Sequence, residues 1–114
     1  MKNKKLHLML MEKLVRDKIV KEMKKQGKNP KFRILNSKEY LASLKDKLVE
    51  ESLEVKNSKN KKQIKEEIAD VYEVMKALMK ANHISFKDIK KSAKIKKKIK
   101  GAFKRKLSLI LKKP

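Results

Sequence analysis

Apolar positions recur at steps of three and four residues over most of this chain, the spacing of helices that bury one face. Leu41, Leu44, Leu48 and Val55 mark one stripe; Ile64, Ile68, Val71, Met75 and Leu78 mark another. The pattern predicts four helices. The first runs from about Leu14 to Gln26, turns Ile19, Val20 and Met23 inward and stops at Gly27. Asn36 opens the second, with Glu39 three residues on as in a capping box, and the stripe carries it to about Lys56. Asn57 to Asn60 is a turn. Asn60 caps the third helix, with Gln63 at the reciprocal place, and that helix ends near Asn82 and His83. Ser85 with Asp88 opens a fourth, which reaches about Lys100 and is stopped by Gly101. Lys28 to Leu35 is a loop through Pro30, with Phe32 to Leu35 extended. The tail from Phe103 to Leu111 alternates apolar and polar residues fairly well, as a strand pairing with residues 32–35 does. The expected fold class is all-α, a four-helix bundle to which that short strand pair can be added.

Length and composition narrow the picture. The 114 residues suit one domain, residues 12–114, preceded by an extension over residues 1–11. They are too few for a TIM barrel or a two-domain dehydrogenase. Without cysteine there is no disulfide frame, zinc finger, thiol nucleophile or iron–sulfur site. No stretch approaches the roughly 18 apolar residues of a membrane helix. Leu6 to Met11 is shorter than the roughly 7–15 residues of a secretory core and contains His7. The expectation is a cytoplasmic protein with no membrane partner.

Charge changes the picture twice. The net charge of +22 invites a nucleic-acid reading. Only Arg16, Arg33 and Arg105 are arginines, however, and the five aromatics are scattered singly. Base readout and base stacking favour arginine and aromatic rings, so nucleic acid is not the favoured partner. The acids are unevenly placed: seven of the thirteen lie between Glu50 and Glu73. Residues 87–114 hold thirteen bases and one acid, Asp88. An acidic middle is thus followed by a strongly basic tail.

On a helical wheel Glu51 falls inside the apolar arc of Leu44, Leu48 and Val55, with Glu54 at its edge and Glu50 further out. Glu67 falls beside the arc of Ile64, Val71 and Leu78, with Asp70 at its edge. A short turn makes the two helices antiparallel neighbours, and facing arcs bring Glu51, Glu54, Glu67 and Asp70 toward one another. Four carboxylates partly out of water repel. A divalent cation removes that cost, and oxygen-only ligands fit Mg²⁺ or Mn²⁺ rather than zinc. The competing reading is a set of solvated acids on a helical hairpin.

Glu50-Glu51-Ser52-Leu53-Glu54, then after twelve residues Glu67-Ile68-Ala69-Asp70, resembles the E-E-x-x-E and E-x-x-D metal motif of the all-α MazG-like nucleoside triphosphate pyrophosphohydrolases, related to phosphoribosyl-ATP pyrophosphohydrolases. Lys13-Leu14-Val15-Arg16-Asp17-Lys18-Ile19 resembles the opening of one small subgroup. Arg33-Ile34-Leu35 and Gly101-Ala102-Phe103-Lys104-Arg105 follow in the same order, so the resemblance covers about residues 12–111. Val20 stands where the subgroup usually has proline, and Ala102 replaces a second glycine. The resemblance implies a homodimer or larger homo-oligomer and Mg²⁺-dependent cleavage between the α and β phosphates of a nucleotide, of the house-cleaning type. It implies Glu51, Glu54, Glu67 and Asp70 as metal ligands, and Glu50 supporting a ligand or helping to activate water beside Glu51. Lys13, Arg16, Lys18 and Arg105 are candidates for phosphate. Two other readings stay open: a basic RNA- or DNA-binding helical module, and a catalytically silent member of the same fold.

Overall fold

The computed structural model describes residues 12–113. Among them the chain is all-helical, with four helices: α1 (Ile19–Lys25), α2 (Ser37–Lys56), α3 (Lys61–Ala81) and α4 (Phe86–Lys100). The expected extension over residues 1–11 lies outside the described residues.

The helix starts are set by side chains that satisfy first-turn amides. Asn36 accepts from the Glu39 N–H at 2.8 Å, and Glu39 accepts from the Asn36 N–H at 3.1 Å. Ser85 and Asp88 form the same reciprocal pair before α4. At α3 the Asn60 cap forms, but Gln63 reaches back to the Lys59 N–H instead, at 2.8 Å. The ends are equally legible. Gly27, at φ 82°, follows α1 in the left-handed region. Lys28 N–H then reaches the Met23 carbonyl and Gly27 N–H the Lys24 carbonyl, the Schellman pattern. His83 takes the corresponding place after α3 at φ 56°, with Ile84 bonded to Met79. His83 thus closes a helix.

Helix packing among the described residues is concentrated in the α2–α3 hairpin. Leu44, 3% exposed, and Val74, 9% exposed, are its buried apolar residues. The covered line of α3 runs through Glu67, Val71, Val74 and Leu78. It is rotated from the expected stripe, because the apolar arc is wider than one neighbouring helix can cover. Ile64, Ile68, Tyr72 and Met75 remain exposed on the other side of that arc. Helix α4 is exposed along its whole length except at half-buried Ile89.

Two expectations are corrected. The first helix starts at Ile19, not near Leu14, because Lys13 and Arg16 are engaged by acids distant in sequence. No strand occurs among the described residues, so the 32–35 and tail pairing does not form. Arg33 is held by two glutamates. The tail stands clear, with Phe103 at 99% and Ile110 at 91% exposure.

Candidate metal centre

The α2–α3 interface is apolar at Leu44 and Val74 and acidic between Glu51 and Asp70. The same helical periodicity that buries Leu44 carries Glu51, two turns on, into the interface, where it is 9% exposed. From α3, Glu67 and Asp70 lie three residues apart on the covered side, both half-buried. One carboxylate oxygen from each of Glu51, Glu67 and Asp70 can be chosen so that all three lie within 4.8 Å of one another. Such a group can hold a metal ion. Three carboxylates supply only hard oxygen donors, which fits Mg²⁺ or Mn²⁺.

Glu54, the fourth expected ligand, is exposed and not part of this close group. It still acts on the group electrostatically. The Glu67 carboxyl is pushed above the usual carboxylate range, first by partial desolvation and then by the charges of Asp70, Glu54, Glu51 and Glu66. Negative charge is therefore concentrated at Glu67, and a cation relieves it.

Glu50, adjacent in sequence, lies in a different environment. Its carboxylate accepts from Lys13 Nζ at 2.9 Å and from Lys47 Nζ at 3.5 Å. The Lys13 hydrogen bond is the largest cause holding Glu50 below its ordinary range. A carboxylate held that way is a weak base, so its geometry suits orienting Lys13 better than accepting a proton from water. Lys47 also approaches Glu51 at 3.5 Å, a single long contact for a nearly buried carboxylate.

Two of the expected phosphate-binding residues lie at this centre. Lys13 reaches Glu50 on α2, and Arg16 donates to Asp70 Oδ1 on α3 at 2.7 Å. The segment before α1 therefore lays cations against both helices of the hairpin. Glu50 raises the pKa of Lys13, mainly by hydrogen bonding. Lys18, next to α1, and Arg105, in the tail beside Lys104, are exposed and form no ion pair among the described residues.

A feature the helical wheel missed is the clamp around Arg33. Its Nε donates to both oxygens of Glu12, at 2.9 and 3.1 Å, and its terminal nitrogens donate to both oxygens of Glu39, at 3.1 and 3.0 Å. Its sequence signals are an arginine shortly before a helix whose N3 residue is glutamate and the place of Arg33-Ile34-Leu35 in the resemblance, neither of which names Glu12 as a partner. Comparison with protein-family models, with curated proteins and with solved structures found no match for this chain.

Proposed function

We propose that this chain is a Mg²⁺-dependent nucleotide pyrophosphohydrolase, cleaving the α–β phosphate bond of a nucleoside triphosphate or related nucleotide to monophosphate and pyrophosphate. One observation carries the reading: Glu51, Glu67 and Asp70 converge within 4.8 Å, with Glu51 nearly buried. A nearly buried carboxylate beside two others is a liability for folding alone, which a bound divalent ion turns into a binding site. The resemblance of the E-E-x-x-E and E-x-x-D segments gives that site its reaction class.

When bound, Mg²⁺ supplies charge neutralisation at phosphoryl oxygens and a more acidic water. The chain's residues do the remaining work. Glu51, Glu67 and Asp70 hold the ion, and Glu54 adds negative charge at the edge. Lys13 and Arg16 bind phosphate oxygens, Arg16 through its planar fork. Glu50 keeps Lys13 in place. Lys18 and Arg105, which form no ion pair among the described residues, are further candidates for phosphate.

The active form in this reading is a homo-oligomer. The exposed apolar residues Ile64, Ile68, Tyr72 and Met75 on α3, Ile95 and Ile99 on α4, and Leu107, Leu109 and Ile110 in the tail support it, as large uncovered apolar surface does for an interface. The tail's basic excess favours nucleic acid as a second reading, and steep weakening of such binding with added salt identifies it.

The test is pyrophosphate release from a panel of NTPs and dNTPs with Mg²⁺, beside Glu51→Gln and Glu67→Gln. The expected result is monophosphate plus pyrophosphate from the wild type and none from either variant. A wild type silent across the panel with both Mg²⁺ and Mn²⁺ overturns the standard-nucleotide reading.

A further inference from the structure

We infer that Arg33 is a positioning residue that holds the 12–18 arm across the carboxylates, so that Lys13 and Arg16 are in place for phosphate. This rests on the proposed function and deepens it.

The arm has no helix or strand to fix it; only a turn at Asp17 and Lys18 precedes α1. Among the described residues three ion pairs tether it: Glu12 to Arg33, Lys13 to Glu50 and Arg16 to Asp70. They differ in what happens when the site fills. Asp70 belongs to the carboxylate group that can hold a metal, so Arg16 and a cation compete for it. A bound phosphate likewise draws Lys13 from Glu50. Both of those tethers are spent in the act of binding.

The third tether is not. Glu12 and Glu39 lie outside the carboxylate group, and Arg33 joins them with four hydrogen bonds. Glu39 is itself fixed by its reciprocal bonds with Asn36 at the start of α2. The chain Glu12–Arg33–Glu39–Asn36 therefore references the arm to the helix that carries Glu51. When Arg16 leaves Asp70, the clamp keeps it within reach of the site, and the gain is in effective concentration. The clamp's members are 40–58% exposed along their side chains, so its effect on global stability is small.

The experiment measures Mn²⁺ affinity and Mn²⁺-pyrophosphate affinity separately, in wild type, Arg33→Ala, Arg33→Lys and the double variant Lys13→Ala/Arg16→Ala with and without Arg33→Ala. Arg33→Ala is expected to weaken pyrophosphate about tenfold and leave Mn²⁺ alone within about twofold. Lysine does not rescue, because one ammonium cannot bridge two carboxylates as a fork does. In the double-variant background Arg33→Ala has no further effect, since Lys13 and Arg16, the two cations it positions, are both gone. Because the chain has no cysteine, a spin label on Asp17→Cys in the Lys13→Ala/Arg16→Ala background, where the other two tethers are gone, reports the clamp directly: restrained with Arg33, mobile with alanine. Equal pyrophosphate affinity in wild type and Arg33→Ala overturns the inference, as does an undiminished Arg33→Ala effect in the double-variant background. A wild type that binds neither Mn²⁺ nor pyrophosphate overturns the proposed function and this role together, and the label still shows whether the clamp holds.

Discussion

Replacing Glu51 by leucine separates folding from function with one substitution. Glu51 is 9% exposed on the line of α2 that contains Leu44. A leucine there gains about 1.5–3 kcal/mol of burial. Lys47 loses one 3.5 Å partner but keeps Glu50 at 3.5 Å, a loss of at most about 1 kcal/mol. The net expectation is a metal-free protein more stable by about 1–2 kcal/mol, a rise in Tm of roughly 5–10 °C. With Mg²⁺ about 100-fold above its Kd, the wild type gains about 2.7 kcal/mol and the variant gains nothing. The order of stability therefore inverts. Thermal melts with EDTA and with Mg²⁺, at one protein concentration, read both halves. A variant that melts below wild type in EDTA refutes the idea that Glu51 is a folding liability kept for a ligand.

Other expectations follow from the same geometry. Leu44→Ala should cost about 2–5 kcal/mol, because Leu44 is the most buried apolar residue of the hairpin; urea unfolding measures it. Arg33, followed by the Asn36 N–H, holds Glu39 below its ordinary value of 4.5. Its contribution is complete above that value and is lost as pH falls through the lowered one. The wild-type Tm should thus fall more steeply below about pH 5 than that of Glu39→Gln. Light scattering on a sizing column should give a mass above 13.4 kDa for wild type, and Ile95→Glu with Ile99→Glu should lower it. A monomeric wild type contradicts the homo-oligomer reading.

The helix boundaries were legible where they depend on neighbours in sequence. Asn36 with Glu39, and Ser85 with Asp88, cap their helices by bonds spanning three residues, and such bonds need no tertiary context. The start of α1 is not legible, for the opposite reason. Arg16 is claimed by Asp70, 54 residues away, and local propensity cannot register that competition. The acidic group was legible because helical period placed Glu51 among leucines and Glu67 beside Val71. The exclusion of Glu54 was not, since the wheel gives an angle and no reach. Nor was the clamp, whose members Glu12, Arg33 and Glu39 follow no period. The α3 stripe is half legible: the apolar arc is visible in the sequence, but which part α2 covers depends on how the two helices cross.

The turn between Lys56 and Lys61 has a consequence for folding kinetics. Closing so short a loop costs little chain entropy, and contacts within a helical hairpin are local, which favours rapid formation. Glu51, Glu67 and Asp70 all lie on that hairpin. Their mutual repulsion therefore opposes an early step of folding, before the arm has docked Arg16 against Asp70. A divalent ion present during refolding should act there as a nucleus, speeding the docking of α2 on α3 as well as stabilising the product.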